Sequence, residues 1–377
     1  MRKGLFKEFL DSEKAGGLIL VFVTLLSLVL ANSSLQNSYL GLWQLPVAGH
    51  PLVHWINDGL MTIFFLLIGL ELEREIYSGQ LSSLKNASLP FFGALGGMIV
   101  PAGIFLLFNY GRPTQGGAGI PMATDIAFAI GILSLLGNRV PLSLKVFLTA
   151  LAVIDDLGAI LIIAVFYAGS ISGTWLLLAL GIFGVLLLLN RFKVHHLIPY
   201  LLGGVAMWYC MLHSGVHATI TGVLLAFAIP FGKGDERSTS YILQHWLHKP
   251  VAFIILPVFA MANTGIVIGS DWFVALGQPG SFGIMAGLII GKPLGILLFS
   301  FLGTVAKLCT LPSDLNWKRI AGAGFLGGIG FTMSIFITLL AFEDSAVIDH
   351  SRMAILVASL LAGCTGLVWL RIVLKKK

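Results

Sequence analysis

The sequence is a succession of apolar blocks, each close to the length that a helix needs to cross a membrane. Such a helix takes about 20 mostly apolar residues. By that measure the chain holds about twelve blocks, with no room between them for a soluble domain. The blocks lie near residues 15–32, 55–72, 89–110, 118–136, 144–168, 173–190, 197–212, 215–231, 247–268, 283–306, 320–341 and 352–372. We therefore predict an all-α integral membrane protein with about 12 transmembrane helices.

Composition excludes the soluble classes. Charged residues make up 11% of the 377 residues and hydrophobic residues 57%, whereas a soluble domain carries roughly 25% charged residues. The three cysteines, Cys210, Cys309 and Cys364, lie far apart in or beside apolar blocks, so neither a disulfide framework nor a zinc site is expected. The net charge of +6 comes from basic residues clustered between blocks, which indicates cytoplasmic loops and not a nucleic-acid partner.

The lysines and arginines also predict an orientation, because basic loops face the cytoplasm. With the N-terminus inside, twenty of the 23 basic residues fall on the inner side, and the exceptions are Arg112, Arg352 and Lys292. The inner residues are Arg2, Lys3, Lys7, Lys14, Arg74, Lys85, Arg139, Lys145, Arg191, Lys193, Lys233, Arg237, Lys249, Lys307, Lys318, Arg319, Arg371, Lys375, Lys376 and Lys377. We expect a multi-pass protein with both termini in the cytoplasm and no cleavable signal before the first block.

Charged residues also lie inside the apolar blocks. Asp125 is in the fourth block, Asp155 and Asp156 in the fifth and Lys292 in the tenth, and Asp58 is near the outer end of the second. An ionised group at the bilayer centre costs ~2.5–3.5 kcal/mol on insertion scales. Ion pairs that join helices would match one acid to one base, but three central acids and one lysine leave an excess of two negative charges. A bound cation or protons would balance that excess.

Asp155 and Asp156 are neighbours, and neighbours on a helix point about 100° apart. One carboxylate can therefore face a water-filled cavity while the other reaches Lys292 on a facing helix. Two close carboxylates also resist double ionisation, so the pair can hold a proton at a pH where a lone carboxyl has lost it. Protons and a hard monovalent cation would compete for these oxygens, which is the minimum chemistry of exchange.

Glycine-rich runs occur in the fourth and eleventh blocks. The fourth begins with GGAG at 116–119, and the eleventh carries GAGFLGGIG at 322–330. Glycine at this density destabilises a continuous helix, and paired interruptions in two halves of a chain are typical of transporters whose ion site lies between half-helix ends. Gly93, Gly96 and Gly97 in the third block instead indicate close helix packing.

Five segments resemble, in order along the chain, those of the NhaA-type bacterial sodium/proton antiporters. They are FFLLIGLELERE at 64–75, ATDIAFA at 123–129, AVIDDLGA at 152–159, GKPLG at 291–295 and GGIGFTMS at 327–334. The similarity runs from about Phe9 to the C-terminus. It implies an inverted repeat in which spans three to five mirror spans ten to twelve, with the fourth and eleventh spans discontinuous and crossing near the midplane; NhaA is itself an example of this architecture.

The same resemblance implies roles for the buried charges. Asp156 would be the principal carrier of cation and proton, while Asp155 would share the Na+ site and could pair with Lys292. Asp125 with Thr124 would balance the partial charges at the facing half-helix ends, about half a unit each. The implied function is electrogenic, pH-regulated exchange of cytoplasmic Na+ or Li+ for external protons in the bacterial inner membrane. This is a transporter and not an enzyme, and it requires no cofactor.

The resemblance further divides the chain into a core bundle of 89–168 and 283–373 and interface segments of 1–88 and 169–282, all in one membrane domain. The loop 45–52, with a turn at Gly49, His50 and Pro51, would form the small hairpin through which family members form homodimers. Membrane lipid would surround the apolar faces.

A cytoplasmic cluster of ionisable groups is associated with alkaline activation in this family. The residues expected to respond to pH are Glu71, Glu75, His217, His245 and His248. Gln244 stands where an acid is expected and Glu73 where a base is expected, so the pH threshold does not follow from the resemblance.

Other classes are weaker. The GKGD run at 232–235 matches an intramembrane aspartyl protease motif but lies in a polar loop, and GK at 291–292 lacks the spacing of a nucleotide-binding loop. A cation channel is disfavoured because Lys292 would repel a permeating ion. A sodium-coupled symporter is the main alternative; it would need polar or aromatic groups to hold an organic substrate, and the core blocks contain few.

Overall fold

The computed structural model describes residues 3–232, 234–270 and 272–374, without the side chains of residues 3–14 and Leu84. Arg2, Lys233 and 375–377, which the predicted orientation uses, lie outside the described residues. Helices dominate the described chain, and its one sheet is a two-stranded hairpin. The all-α class predicted from the apolar blocks is confirmed.

The helices follow the apolar blocks closely. In chain order they are α1 Lys3–Ala31, α2 Gln36–Trp43, α3 Leu52–Ser78, α4 Leu84–Asn109, α5 Ile126–Ser134, α6 Leu142–Phe166, α7 Gly173–Arg191, α8 Leu197–Leu212, α9 Ile220–Ala228, α10 Thr239–Asn263, α11 Trp272–Leu276, α12 Pro279–Val305, α13 Trp317–Gly327, α14 Phe331–Ala341 and α15 Ser345–Val373. Short 3₁₀ helices occupy Gln80–Ser82, Pro113–Met122 and Gly137–Arg139.

Among the described residues, fewer helices pass a length and composition test for crossing a membrane than there are apolar blocks, so the number of about 12 stays a prediction. By length and composition seven of the described helices qualify alone, or up to 10 if each of three bent pairs counts as one span. The eighth block shows why the numbers differ, because its helix α9 has 9 residues. At about 1.5 Å per residue α9 is about 13 Å long, less than half of a hydrocarbon core.

The two predicted interruptions are present. In the fourth block the 3₁₀ helix Pro113–Met122 and α5 meet at a break with a bend of 41°, and in the eleventh block α13 and α14 meet at a break with a bend of 49°. Each broken pair follows a long helix and precedes another, in 84–166 and again in 279–373. This repeated order is consistent with the predicted repeat, whose inverted symmetry remains a prediction.

The chain forms two compact units. The first contains residues up to Asn37, Ser83–Ala159 and the chain from Asn263 onward. Within it α4 packs along α12, and the two backbones touch, because a Cβ added at Gly96 would collide with the carbonyl oxygen of Gly295. The glycines of the third block therefore serve close helix packing, as predicted. This contact holds α12 against α4 at Gly295, three residues after Lys292.

The second unit contains Ser38–Ser82 and Ile160–Ala262. Its apolar core lies around α3, α7, α8 and α9. The division of the chain into a core bundle of 89–168 and 283–373 and interface segments remains a prediction.

The hairpin expected at 45–52 lies in this second unit. Its strands β1 Pro46–Val47 and β2 His50–Pro51 are antiparallel. Ala48 and Gly49 form the turn, with φ of 49° and 88°, which is the two-residue geometry that favours glycine. The predicted turn at Gly49, His50 and Pro51 was therefore wrong by one position, since His50 and Pro51 belong to the second strand.

Candidate functional site

The two interrupted helices meet at their breaks, within the first unit. The backbone N–H of Asp125 donates to the carbonyl oxygen of Ile329 at 2.6 Å. The Thr124 hydroxyl lies 2.9 Å from the carbonyl oxygen of Gly327. Backbone groups that a continuous helix would satisfy internally are thus satisfied across the two breaks.

Asp125 caps two helices at once. Its carboxylate accepts the Phe128 N–H of α5 at 3.1 Å and the Thr332 N–H of α14, also at 3.1 Å. It also accepts a short hydrogen bond from the Thr332 hydroxyl. Helix N-termini carry partial positive charge, so a single buried carboxylate faces the positive ends of two half-helices.

Asp155 and Lys292 form a fully buried ion pair between α6 and α12. Lys292 Nζ lies 2.7 Å from Asp155 Oδ2, and both side chains are 0% exposed. The Thr124 hydroxyl lies 2.7 Å from the same carboxylate oxygen. The other oxygen, Asp155 Oδ1, has no hydrogen-bond partner among the described residues, so one lone-pair face of this carboxylate is not used by the protein.

Lys292 has a second contact that the sequence did not indicate. Its ammonium donates to the carbonyl oxygen of Met122, the last residue of the 3₁₀ helix Pro113–Met122. A cation at the carboxyl end of a helix is stabilising. A π turn, Gly287–Gly291, directly precedes Lys292; its Gly291 is so close to Pro101 that a Cβ would meet the Pro101 backbone.

Asp156 is also buried, with 3% of its surface exposed. Three carboxyl groups (Asp125, Asp155 and Asp156) and the Lys292 ammonium are therefore buried in the first unit, at the meeting point of the two breaks or on the neighbouring turn of α6. If all were ionised the group would carry an excess of two negative charges. Buried charge without compensation is strongly unfavourable, so protons or a cation would have to supply the balance. Carboxylate and hydroxyl oxygens are ligands that hard cations prefer.

Sequence reasoning identified Asp125, Asp155, Asp156, Lys292 and Thr124, and the structure brings Thr124, Asp155 and Lys292 into direct contact. It missed Thr332, the partner of Asp125. The signal for Thr332 was available, because it directly follows the glycine-rich break in the GGIGFTMS segment. The contact of Lys292 with Met122 carried no sequence signal, since a backbone carbonyl has none.

The expected pH-responsive residues lie in the second unit, and most of them cluster. His248 Nδ1 of α10 lies 3.8 Å from Glu71 Oε1 of α3. The Tyr241 ring stacks with His245 and also lies under the Arg74 guanidinium, 5.2 Å from the ring centroid. Two further contacts lie nearby. Glu75 accepts the Gln80 N–H at 2.7 Å, and the Gln244 amide oxygen lies 3.5 Å from the Arg74 guanidinium.

His217 is separate from that cluster. Its Nε2 lies 2.7 Å from the carbonyl oxygen of Tyr167, and it is close enough to Asp58 for an electrostatic interaction. Asp58 lies near the start of α3 and Glu71 near its end, about 20 Å apart at 1.5 Å per residue. His217 and Glu71 therefore cannot act through direct contact.

A helical membrane chain with two interrupted helices meeting beside a buried lysine–aspartate pair has the architecture of a secondary ion transporter. The chain belongs to the family described as Na+/H+ antiporter 1, whose model matches residues 7–370.

Similar proteins cover the whole chain. A Na+/H+ antiporter NhaA of Flavobacterium psychrophilum is 68% identical over 99% of this chain and 97% of its own length. One of Cytophaga hutchinsonii is 63% identical over 99% and 96%, and one of a Shewanella species is 50% identical over 98% of each chain. The sodium proton antiporter MjNhaP1 of Methanocaldococcus jannaschii matches in structure over 100% of both chains, with a TM-score of 0.56 and 17% identity, which shows a shared fold.

Proposed function

We propose that this protein exchanges cytoplasmic Na+ or Li+ for external protons across the bacterial inner membrane. The observation that carries the proposal is the buried Asp155–Lys292 pair beside the buried Asp156, at the meeting point of two interrupted helices. The family match over residues 7–370 and the names of the relatives support Na+ and protons as transported ions.

The proposed mechanism is competition for one set of oxygens. Protons neutralise the excess carboxylates when the site faces the acidic side. When the site faces the cytoplasm, Asp156 and the Asp155–Lys292 pair together release two protons and one Na+ takes their place, with Asp156, Asp155 Oδ1 and the Thr124 hydroxyl as oxygen ligands. Lys292 remains at Met122 O, while Asp155 exchanges its interaction with Lys292 for an interaction with the cation.

Asp125 and the backbone ends form a fixed frame in this proposal. Because Asp125 compensates two positive helix ends and Lys292 a negative one, none of the three ends needs the transported ion for its own stability. The site can therefore be empty of sodium without losing its backbone contacts.

The central test is Asp156→Asn. An amide keeps the size of the side chain but can neither release a proton nor supply the anionic oxygen that a hard cation prefers. We expect sodium-driven proton movement in everted vesicles to fall to background across a pH series, with expression maintained. Asp314→Asn, at an exposed position that accepts from Ser143, is the matched control and should exchange normally. Substantial exchange by the Asp156 variant would remove this residue from the site.

Proteoliposomes distinguish the symporter alternative. Exchange in proteoliposomes that contain only Na+ and protons is expected at full rate. Dependence of that rate on an added organic substrate would instead favour a symporter.

We further propose a homodimer that forms through the hairpin of β1 and β2. The support is the hairpin itself, whose Val47 carbonyl is tied to the Trp55 indole at 2.8 Å and whose Val47 side chain is 46% exposed. A protein lacking residues 45–52 should behave as a monomer in light scattering while retaining exchange. A persistent dimer would place the contact elsewhere.

For the pH response we propose that Glu71, His248, His245 and Glu75 act together, with His217 as a separate contributor. The contact between Glu71 and His248 is the supporting geometry. His248→Gln should shift the pH of half-maximal exchange while leaving the maximal rate intact, because α10 is remote in sequence from the ion-binding carboxylates. An unshifted profile would exclude His248 from the response.

A further inference from the structure

The hydroxyl of Thr149, on α6, is buried yet has no hydrogen-bond partner among the described residues, as is also true of Thr221 on α9. A threonine hydroxyl inside a helix can bond to the carbonyl four residues earlier. Thr24, Thr304 and Thr338 do so in this chain, at 2.7–2.8 Å. Thr149 therefore has an oxygen that its own helix does not use.

Its position relates it to one carboxylate in particular. Thr149 precedes Asp156 by seven residues on the continuous helix Leu142–Phe166. Seven residues turn a helix through about 700°, so Thr149 lies within about 20° of Asp156 and about 10.5 Å from it along the axis. Asp155 is about 120° away from Thr149 by the same measure. Thr149 thus lies on the face of α6 that carries Asp156, toward the end that carries Lys145.

Ser300 of α12 provides a contrast. Its hydroxyl is also buried without a partner among the described residues. A Cβ added at Gly93 would lie 3.1 Å from this hydroxyl and 3.2 Å from the Leu151 side chain, and Leu151 is one helical turn before Asp155. Ser300 is therefore enclosed by α4 and by the Asp155 side of α6, away from the face that Thr149 shares with Asp156.

We propose that the Thr149 hydroxyl is a further cation-contacting group, which a small hard monovalent cation meets on its way to Asp156 from the Lys145 end of α6. This inference rests on the proposed exchange function. A neutral hydroxyl suits such a position, because a group on an ion path must bind strongly enough to replace water and weakly enough to release the ion. In the predicted orientation the Lys145 end is cytoplasmic, so Thr149 belongs to the inner access path.

The test compares Thr149→Val, which keeps the shape and removes the oxygen, with Thr149→Ser, which keeps the oxygen. Sodium-dependent exchange is measured in proteoliposomes of both orientations, with NaCl as the probe. For Thr149→Val we expect a ~3- to 10-fold higher KM for Na+ supplied at the Lys145 side, the size expected when one ion contact is lost. The KM from the other side, the maximal rate and the melting temperature should not change. Thr149→Ser should restore the KM.

Ser300→Ala is the matched control, because it removes a buried hydroxyl of α12 that has no partner among the described residues and lies on the Asp155 side of α6. It should leave both KM values unchanged. An unchanged KM in Thr149→Val, an equal rise from both sides, or a fall in melting temperature shared by both Thr149 variants would each overturn the proposal. Failure of the exchange function itself would look different, since the unmodified protein would then show no sodium-dependent exchange in either orientation.

Discussion

At the scale of single residues, Lys292 makes two contacts within the site. It pairs with Asp155 and donates to Met122 O while being 0% exposed. Lys292→Ala would leave a buried carboxylate without its counter-charge, and breaking a buried pair in this way destabilises a protein by about 3–5 kcal/mol. We therefore expect Lys292→Ala to lower the melting temperature strongly. The loss of Na+ binding at high pH should be small by comparison.

Two further variants show whether the fall in melting temperature comes from the unpaired Asp155 charge. Lys318→Ala removes an exposed lysine from α13 and should leave the melting temperature unchanged. Adding Asp155→Asn to Lys292→Ala should recover part of the stability, because the orphaned charge is then absent. If Lys292→Ala melted normally but failed to bind Na+, Lys292 would be a direct participant in the cation or proton path.

The residues of the site were readable from sequence because charge in an apolar span is expensive. Asp155, Asp156 and Lys292 stand out against their blocks for that reason alone. The contact between Lys292 and Asp155 was expected, but the second contact of Lys292 could not be read, because its partner is a backbone carbonyl 170 residues away. Thr149 was passed over for a similar reason, since one threonine in a span carries no signal until its hydroxyl is seen to lack a partner.

At the scale of elements, Asp125, Asn316 and Asp344 cap helix N-termini in different environments. Asp125 is 3% exposed and caps both α5 and α14, whereas Asn316 caps α13 and Asp344 caps α15 at exposed positions. Removing an N-cap usually destabilises by ~0.5–2 kcal/mol. Asp125→Ala should exceed that range, because two helix ends and the Thr332 hydroxyl lose their acceptor together.

Thermal unfolding of the three alanine variants measures the difference. Asn316→Ala and Asp344→Ala should remain within the usual range, and Thr332→Val should reproduce only part of the Asp125→Ala effect. Equal destabilisation by all three cap variants would mean that the double cap contributes no more than a surface cap.

The elements themselves were predictable to differing degrees. Long apolar helices such as α4, α6 and α15 follow from block length, and the two interruptions follow from glycine density. The shortness of α9 did not, because apolar residues continue on both sides of it through 215–231. Hydropathy reports which residues avoid water but not where the backbone leaves the helix. The π turn before Lys292 and the 3₁₀ form of Pro113–Met122 were hidden for the same reason.

At the scale of the whole molecule, the balance of buried charge predicts the electrical behaviour of transport. Because Asp125 faces two positive helix ends, the Asp155–Lys292 pair and Asp156 are the groups whose charge the transported ions balance. If the site releases two protons for each Na+ that it takes, one net charge crosses the membrane in each cycle. The membrane potential, worth ~2.3 kcal/mol per charge per 100 mV, could then drive sodium out of the cell. We therefore expect Na+-induced transient currents from proteoliposomes on a solid-supported membrane. Their absence at every pH would mean electroneutral exchange and would contradict the two-carboxylate account.

The pH dependence of those currents separates competition from regulation. Protons and Na+ occupy the same oxygens, so acid raises the apparent KM for Na+, by up to about tenfold per pH unit for each competing proton. Competition alone leaves the maximal rate intact, and saturating Na+ should then restore the full current at acid pH. A maximal rate that stays depressed at saturating Na+ would require a second titration at a regulatory site. The Glu71–His248 contact is the proposed site of that titration. The deciding comparison is the unmodified protein against His248→Gln at several pH values and Na+ concentrations. We expect both to show the same rise in KM on acidification, because the carboxylates of the first unit are intact in each. The depressed maximal rate should shift along the pH axis in the His248 variant alone.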